Sequence, residues 1–224
     1  MEGMPLIPWW VLLSSGCAPV VLIGGWALAA TLQPTGYDPM IQSISSLAAQ
    51  GAADQWLMTA ALLLLGACHI VTAFGLRSAA LAGRIMLALG GLATVLVGLS
   101  PEPYDGTSIR HLTATGVGFA ALALWPILAS SRDAPLSWVL KPRVGYATAV
   151  VMTAGAAWFL LELHGHGAAG FVERLLTGAQ SAWPLFVVAA CFSARFRAAA
   201  RQQLTAGAGM LRSESRRECS DQSS

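Results

Sequence analysis

Two histidines separated by one glycine, His164 and His166, stand in the stretch ELHGHGAAGFVER (residues 162–174) with Glu162, Glu173 and Arg174. On a helix, residues two apart diverge by about 200°, whereas Gly165 and Gly167 favour an extended turn in which both imidazoles point one way. An HxH pair on such backbone can supply two zinc ligands. A catalytic zinc needs a third, which His111 or a carboxylate can give. Neither HxxxH nor HExxH spacing occurs in the chain, and those are the spacings that place zinc ligands on one helix face. The same residues serve equally well to end a helix, where glycine and histidine satisfy and neutralise the last carbonyls. Both readings stand.

Glu173 and Arg174 open the next apolar run. A carboxylate there complements a helix N-terminus, and an arginine can extend to the membrane interface. Glu173, Thr177, Gln180 and Pro184 also follow i, i+4, i+7, i+11 spacing. That is a polar stripe entering the membrane, where polar groups face a bundle interior or cavity. His111, Thr115 and Gly118 form a similar stripe. A serine cluster at Ser43, Ser45 and Ser46 lies in PMIQSISSLAAQG, whose Met40, Ile41, Ile44, Leu47 and Ala48 recur at helical spacing. A short interfacial helix is expected there. Ser45, Ser46, His111, Glu173, Arg174 and Gln180 are the ligand-binding candidates, and His164 and His166 the metal candidates.

The elements that must position these residues are membrane helices. Of 224 residues, 55% are hydrophobic and 11% charged, about half the charged share of an average soluble domain. Apolar runs approach the roughly 20 residues that cross a bilayer. Six are read, from Trp10 to Thr31, Gln55 to Leu76, Leu81 to Ser100, Ile109 to Ala129, Pro142 to Leu163 and Leu175 to Phe196. Backbone groups cannot stay unpaired in hydrocarbon, so each is a helix. The expected fold is all-α, a polytopic bundle over residues 1–200. The polar segment 201–224 is expected to be a disordered tail. Span-three glycines Gly83, Gly90, Gly91 and Gly98, with Gly116 and Gly118, suit close helix packing. Trp9, Trp10, Trp56 and Trp138 fall at span ends, where indoles anchor at the interface.

With six spans, eleven of the 13 Lys and Arg residues fall on one side, and only Arg110 and Arg174 on the other. The positive-inside rule then puts both termini in the cytoplasm, with the plasma (cytoplasmic) membrane as the expected location. The first run is too long for a signal-peptide core and lacks a basic leader, so it is read as an uncleaved span. The outer side collects Asp38, Asp54, Glu102, Asp105, Glu162 and Glu173, with three of the four histidines. His69 lies toward the cytoplasmic end of span two and is not expected to join them. A reporter active only outside the cytoplasm should be active when fused after Ala52 or Gly106 and silent after Ser131 or Gly207. Activity at Gly207 would overturn the six-span topology.

The SISSL segment before span two, the histidine opening span four in RHLTATGVGF, and GFVERLLTGAQSAWPL opening span six carry a family resemblance. The chain resembles the domain-of-unknown-function 998 family of six-span bacterial and archaeal membrane proteins, over nearly all of residues 10 to 197. The resemblance implies fold and membrane location, and draws attention to Ser45, Ser46, His111, Glu173 and Arg174. It implies no activity.

A net charge of +2 gives no electrostatic footprint for nucleic acid. Few charges lie in the spans and no matching pair of broken helices is evident, which argues against solute transport. Membrane lipid is the expected surrounding partner. The favoured function is an outward-facing polar pocket for a lipid-like or small ligand. The alternatives are a membrane-embedded hydrolase or lipid-modifying enzyme, metal-dependent in its zinc version, and an accessory or assembly protein.

Overall fold

A computed structural model describes residues 7–103, 106, 108–130, 137–165 and 167–221, without the side chains of residue 195 and of residues from 198 onward. Its helices are α1 (Trp9–Thr31), α2 (Gln55–Gly75), α3 (Leu81–Leu99), α4 (Ile109–Leu128), α5 (Pro142–His164) and α6 (Ala169–Asp221). All six are long and apolar enough to cross a membrane, the sixth over Ala169–Ala194. Each start and end lies close to the hydropathy boundary except the two ends of α6. That helix begins six residues before Leu175, so Glu173 and Arg174 are already within it. At the other end, α6 continues through the polar stretch from residue 201 as far as Asp221, a stretch supplied with the helix formers Ala, Leu, Gln, Arg and Glu. Pro142 stands at the first turn of α5, where its missing N–H costs nothing.

Each helix packs on its neighbours in sequence, and α6 closes the ring against α1. Because helices alternate in direction, the ring has two chemically different ends. The polar end carries the first loop (residues 32–54) and the starts of α2, α4 and α6. The arginine-rich end carries Arg77 and Arg84. There the Arg84 guanidinium donates to the Ala73 and Phe74 carbonyls, each at 2.8 Å, and so satisfies the last turn of α2. An apolar cluster with Val11, Leu76, Leu87, Trp125 and Val188 fills the ring at this end.

Glycines set how closely the ring closes. A side chain at Gly66 would meet the Gly91 carbonyl, and one at Gly91 the Gly66 carbonyl. The two helices therefore touch backbone to backbone at that crossing. Gly83 packs against Ala129, Gly90 against Leu122 and Gly98 against Leu62. Gly116 departs from the packing expectation, since nothing lies within 4 Å of the position its side chain would take. Trp9, Trp56 and Trp138 are exposed at helix ends, as interfacial anchors require.

The first loop folds down onto the bundle. In place of an interfacial helix it forms one 3-10 turn, Ser45–Ala48. Ile44, Leu47 and Ala48 are buried with Leu22 and Met58, while Met40 and Ile41 stay exposed. The first two apolar residues face out and the next three face the core, because the segment turns inward to plug the ring rather than lying along its rim.

Candidate functional site

The loop is held in place by the first turn of α6. The N–H groups of Gly170 and Phe171 donate to the carbonyls of Ile41 and Met40 at 3.1 and 3.0 Å. These are N–H groups that a helix start leaves without intrahelical partners. Gly170 permits the contact, because any side chain there would strike the carbonyl oxygens of Pro39 and Gln42. Arg174 Nη1 donates to the same two carbonyls at 2.8 and 2.9 Å, and Nη2 to the Tyr37 hydroxyl at 2.6 Å. Burial raises the Tyr37 pKa above its ordinary value, while the adjacent Arg174 charge and hydrogen bond pull it down. Arg174 thus fastens the loop.

Glu173, next to it on α6, faces inward and is 4% exposed. Its Oε2 accepts the Ile44 N–H at 2.5 Å. The loop backbone and the α6 carboxyl group therefore meet inside the ring. One residue further along the loop, the Ser45 hydroxyl lies 2.9 Å from Nε2 of His111. His111 is the third residue of α4, whose start is capped by Ser108 accepting the His111 backbone N–H at 3.3 Å. Its Nδ1 lies 2.9 Å from the Ser100 carbonyl oxygen. A carbonyl only accepts, so Nδ1 carries the proton. In the neutral imidazole Nε2 is then the acceptor and Ser45 the donor. Glu102 Oε1 is 3.7 Å from the same Nε2.

Below this layer a cavity of about 70 Å³ runs inside the ring. Ser45 and Glu173 lie at its head, and Thr177, Gln180 and Ser181 descend along α6. Gln180 is 2% exposed and its Nε2 donates to the Phe119 carbonyl at 3.2 Å. The α6 stripe expected from spacing faces the cavity down to Gln180, as do Thr115 and Gly118 of the α4 stripe. Leu22 of α1 and residues of α2 and α3 complete the wall, and α5 contributes none of it.

Of the six ligand-binding candidates, Ser45, Glu173 and Gln180 line the cavity, and His111 stands directly behind Ser45. Ser46 and Arg174 are not part of the lining. The Ser46 hydroxyl donates to the Ser43 carbonyl at 2.6 Å and shapes the turn. Among the metal candidates, His164 is exposed at the end of α5, with Nδ1 2.7 Å from the Leu160 carbonyl, a helix-ending contact. His166 lies outside the described residues, as do Tyr104 and Asp105. Among the described residues no group of three or more His, Cys, Asp or Glu side chains could hold a metal ion. The residue that sequence reasoning missed is His69. It was expected to lie apart, yet it lines the same cavity from α2. Leu62, Leu65 and His69 fall at i, i+3, i+7 spacing, a helical stripe that carried the signal.

A family model described as protein of unknown function (DUF998) matches residues 16–191. The chain belongs to the DUF998 family. The matched span reaches from within α1 to within α6 and so contains the loop, the cavity and every residue named around it. No curated protein and no solved structure matches this DUF998 chain.

Proposed function

We propose that this DUF998 protein binds a lipid-like or small amphiphilic molecule in the cavity beneath its first loop. The observation that supports it best is the convergence of Ser45, Glu173, Thr177 and Gln180 on one cavity with walls of Leu22, Leu62, Leu65 and Phe119. Apolar walls with a few placed polar groups are the usual composition of small-molecule sites. A molecule entering there would put its polar part beside Ser45 and Glu173 and its apolar part among the leucines. Under the orientation argued from the arginines, that end faces out of the cytoplasm.

Gly118 offers a test. A methyl group is tolerated there, since the nearest atom to that position is the Ala93 Cβ at 3.5 Å, but a longer side chain projects into the cavity. Detergent-purified wild-type protein should retain added monoolein in native mass spectrometry. Gly118→Ala should behave alike, and Gly118→Leu should retain at least about tenfold less, the cost of one lost site contact of ~1.4 kcal/mol. Equal retention by all three, or none by the wild type, would replace this reading with that of an accessory protein.

A second reading rests on the Ser45–His111 pair. A hydroxyl that donates to an imidazole, itself oriented through Nδ1–H by a fixed acceptor, is the arrangement of an activated serine nucleophile. Acting so, Ser45 Oγ would bond to an ester carbonyl carbon as its proton passes to His111 Nε2. The histidine would return the proton to the departing alcohol. A fluorophosphonate probe should then label wild-type protein at Ser45, and neither Ser45→Ala nor His111→Gln. Absence of labelling in folded wild-type protein excludes the hydrolase and leaves the binder.

A further inference from the structure

The cavity wall carries two polar side chains without hydrogen-bond partners among the described residues. His69 is 1% exposed. Neither of its ring nitrogens finds a hydrogen-bond partner among the described residues, and neither does the Thr115 hydroxyl. Both residues line the cavity. A buried polar group left unpaired forfeits its hydration with nothing in return, and buried side-chain polar atoms are nearly always satisfied. His69 is the fifteenth residue of α2, so it sits roughly 21 Å along the helix from its start. The fold also makes room for it, since Gly91 of α3 lies against the His69 Cβ, where a side chain would crowd the imidazole. A close helix crossing thus coincides with a buried imidazole that has hydrogen-bonding capacity to spare.

We infer that His69 provides a hydrogen-bonding subsite within the membrane that takes an uncharged hydroxyl carried on an apolar chain, with Thr115 a second unpartnered group on the same cavity wall. The inference rests on the binding reading above and specifies its ligand. A neutral imidazole offers one donor and one acceptor, and a threonine hydroxyl offers both. The group that answers such a set is one that both donates and accepts. An ionised group would lose its hydration among Leu65, Val97 and Leu122, a cost of several kcal/mol per ion. A cavity of about 70 Å³ has space for several waters at ~10–15 Å³ each, or for a slender chain, but not for a bulky ring system. The ligand therefore has two polar points: one near Ser45 and Glu173, the other at His69. Along α6, the seven residues from Glu173 to Gln180 cover roughly 10.5 Å of the intervening depth.

The test uses three probes that differ only in hydroxyl groups: decane, 1-decanol and 1,10-decanediol. Full-length protein labelled with 15N-histidine in nanodiscs is titrated with each, the His69 ring signals being assigned through His69→Leu. The diol should shift the His69 ring signals and bind about fivefold to tenfold more tightly than 1-decanol, the gain expected of one added hydrogen bond. In the double variant His69→Leu, Thr115→Val, which keeps bulk and removes the polar atoms, the two alcohols should bind equally by native mass spectrometry. Thr115→Val alone, the milder change, should at least halve the diol's advantage. If 1-decanol binds wild type but not Gly118→Leu, while the diol gains nothing and the His69 signals stay still, the subsite is overturned and the pocket stands. If no probe binds at all, both readings fall together.

Discussion

Gly170→Leu should release the first loop from the bundle. The carbonyls of Pro39 and Gln42 lie where its Cβ must go. They cannot step aside without losing their bonds from Arg174, and the neighbouring Ile41 and Met40 carbonyls would be drawn away from the Gly170 and Phe171 N–H groups. Overpacking against backbone costs about 1–3 kcal/mol, and the separated hydrogen bonds place the total toward the upper end. Limited proteolysis within residues 36–44 should accelerate at least tenfold, with the six helices retained by circular dichroism. Arg174→Met should give a smaller effect in the same direction, because the α6 N–H groups still hold the loop. Proteolysis unchanged in Gly170→Leu would mean that the loop is not held by α6.

Gly91→Leu should have the largest effect on the fold itself. Its side chain would enter the Gly66 carbonyl and crowd His69 and Ile70. Nothing flexible is available to yield at the Gly66 backbone, so α2 and α3 must separate. A loss of about 3–5 kcal/mol is expected, the range of severe core disruption, read as a lowered unfolding midpoint in detergent. Gly116→Leu is the internal control, as its side chain would meet open space and should stay within ~0.5 kcal/mol of wild type. Similar losses at both positions would refute the backbone-to-backbone crossing.

The contrast between these glycines shows what was legible in the sequence. Apolar runs and turn residues fixed all six helices, because hydrocarbon permits a spanning chain few alternatives. The sixth start was misplaced by six residues, because the α6 helix opens with Ala169, Gly170, Phe171 and Val172, residues that hydropathy alone cannot assign to turn or span. Gly91 and Gly116 look alike in a list of spacings, and only the ring decides which one meets a neighbour.

The candidate site was legible where it depended on one helix. Glu173 and Gln180 emerged from their spacing, and both face the cavity. Residues that depend on contacts between distant segments could not be sorted by spacing alone. Arg174 was grouped with the pocket but fastens the loop from outside the lining. Ser45 and Ser46 are adjacent and chemically identical, yet a single 3-10 turn points Ser45 at His111 and leaves Ser46 on the turn itself. His69 was set apart on depth, because it lies toward the cytoplasmic end of α2. The cavity descends that far.

The attachment of the loop to α6 also bears on how the protein is made. Ile44 and Glu173 are 129 positions apart, and the ribosome adds roughly 5–20 residues per second. The loop therefore emerges about 6–26 s before its clasp is synthesised. Throughout that interval the growing chain can insert five helices, but it has no α6 N–H groups, carboxylate or guanidinium with which to seat the plug. A chain stopped before Ala169 should accordingly expose residues 36–44 to protease however well its helices insert. Maturation of the cavity becomes the last event of biogenesis, and any factor that attends the nascent protein meets it open.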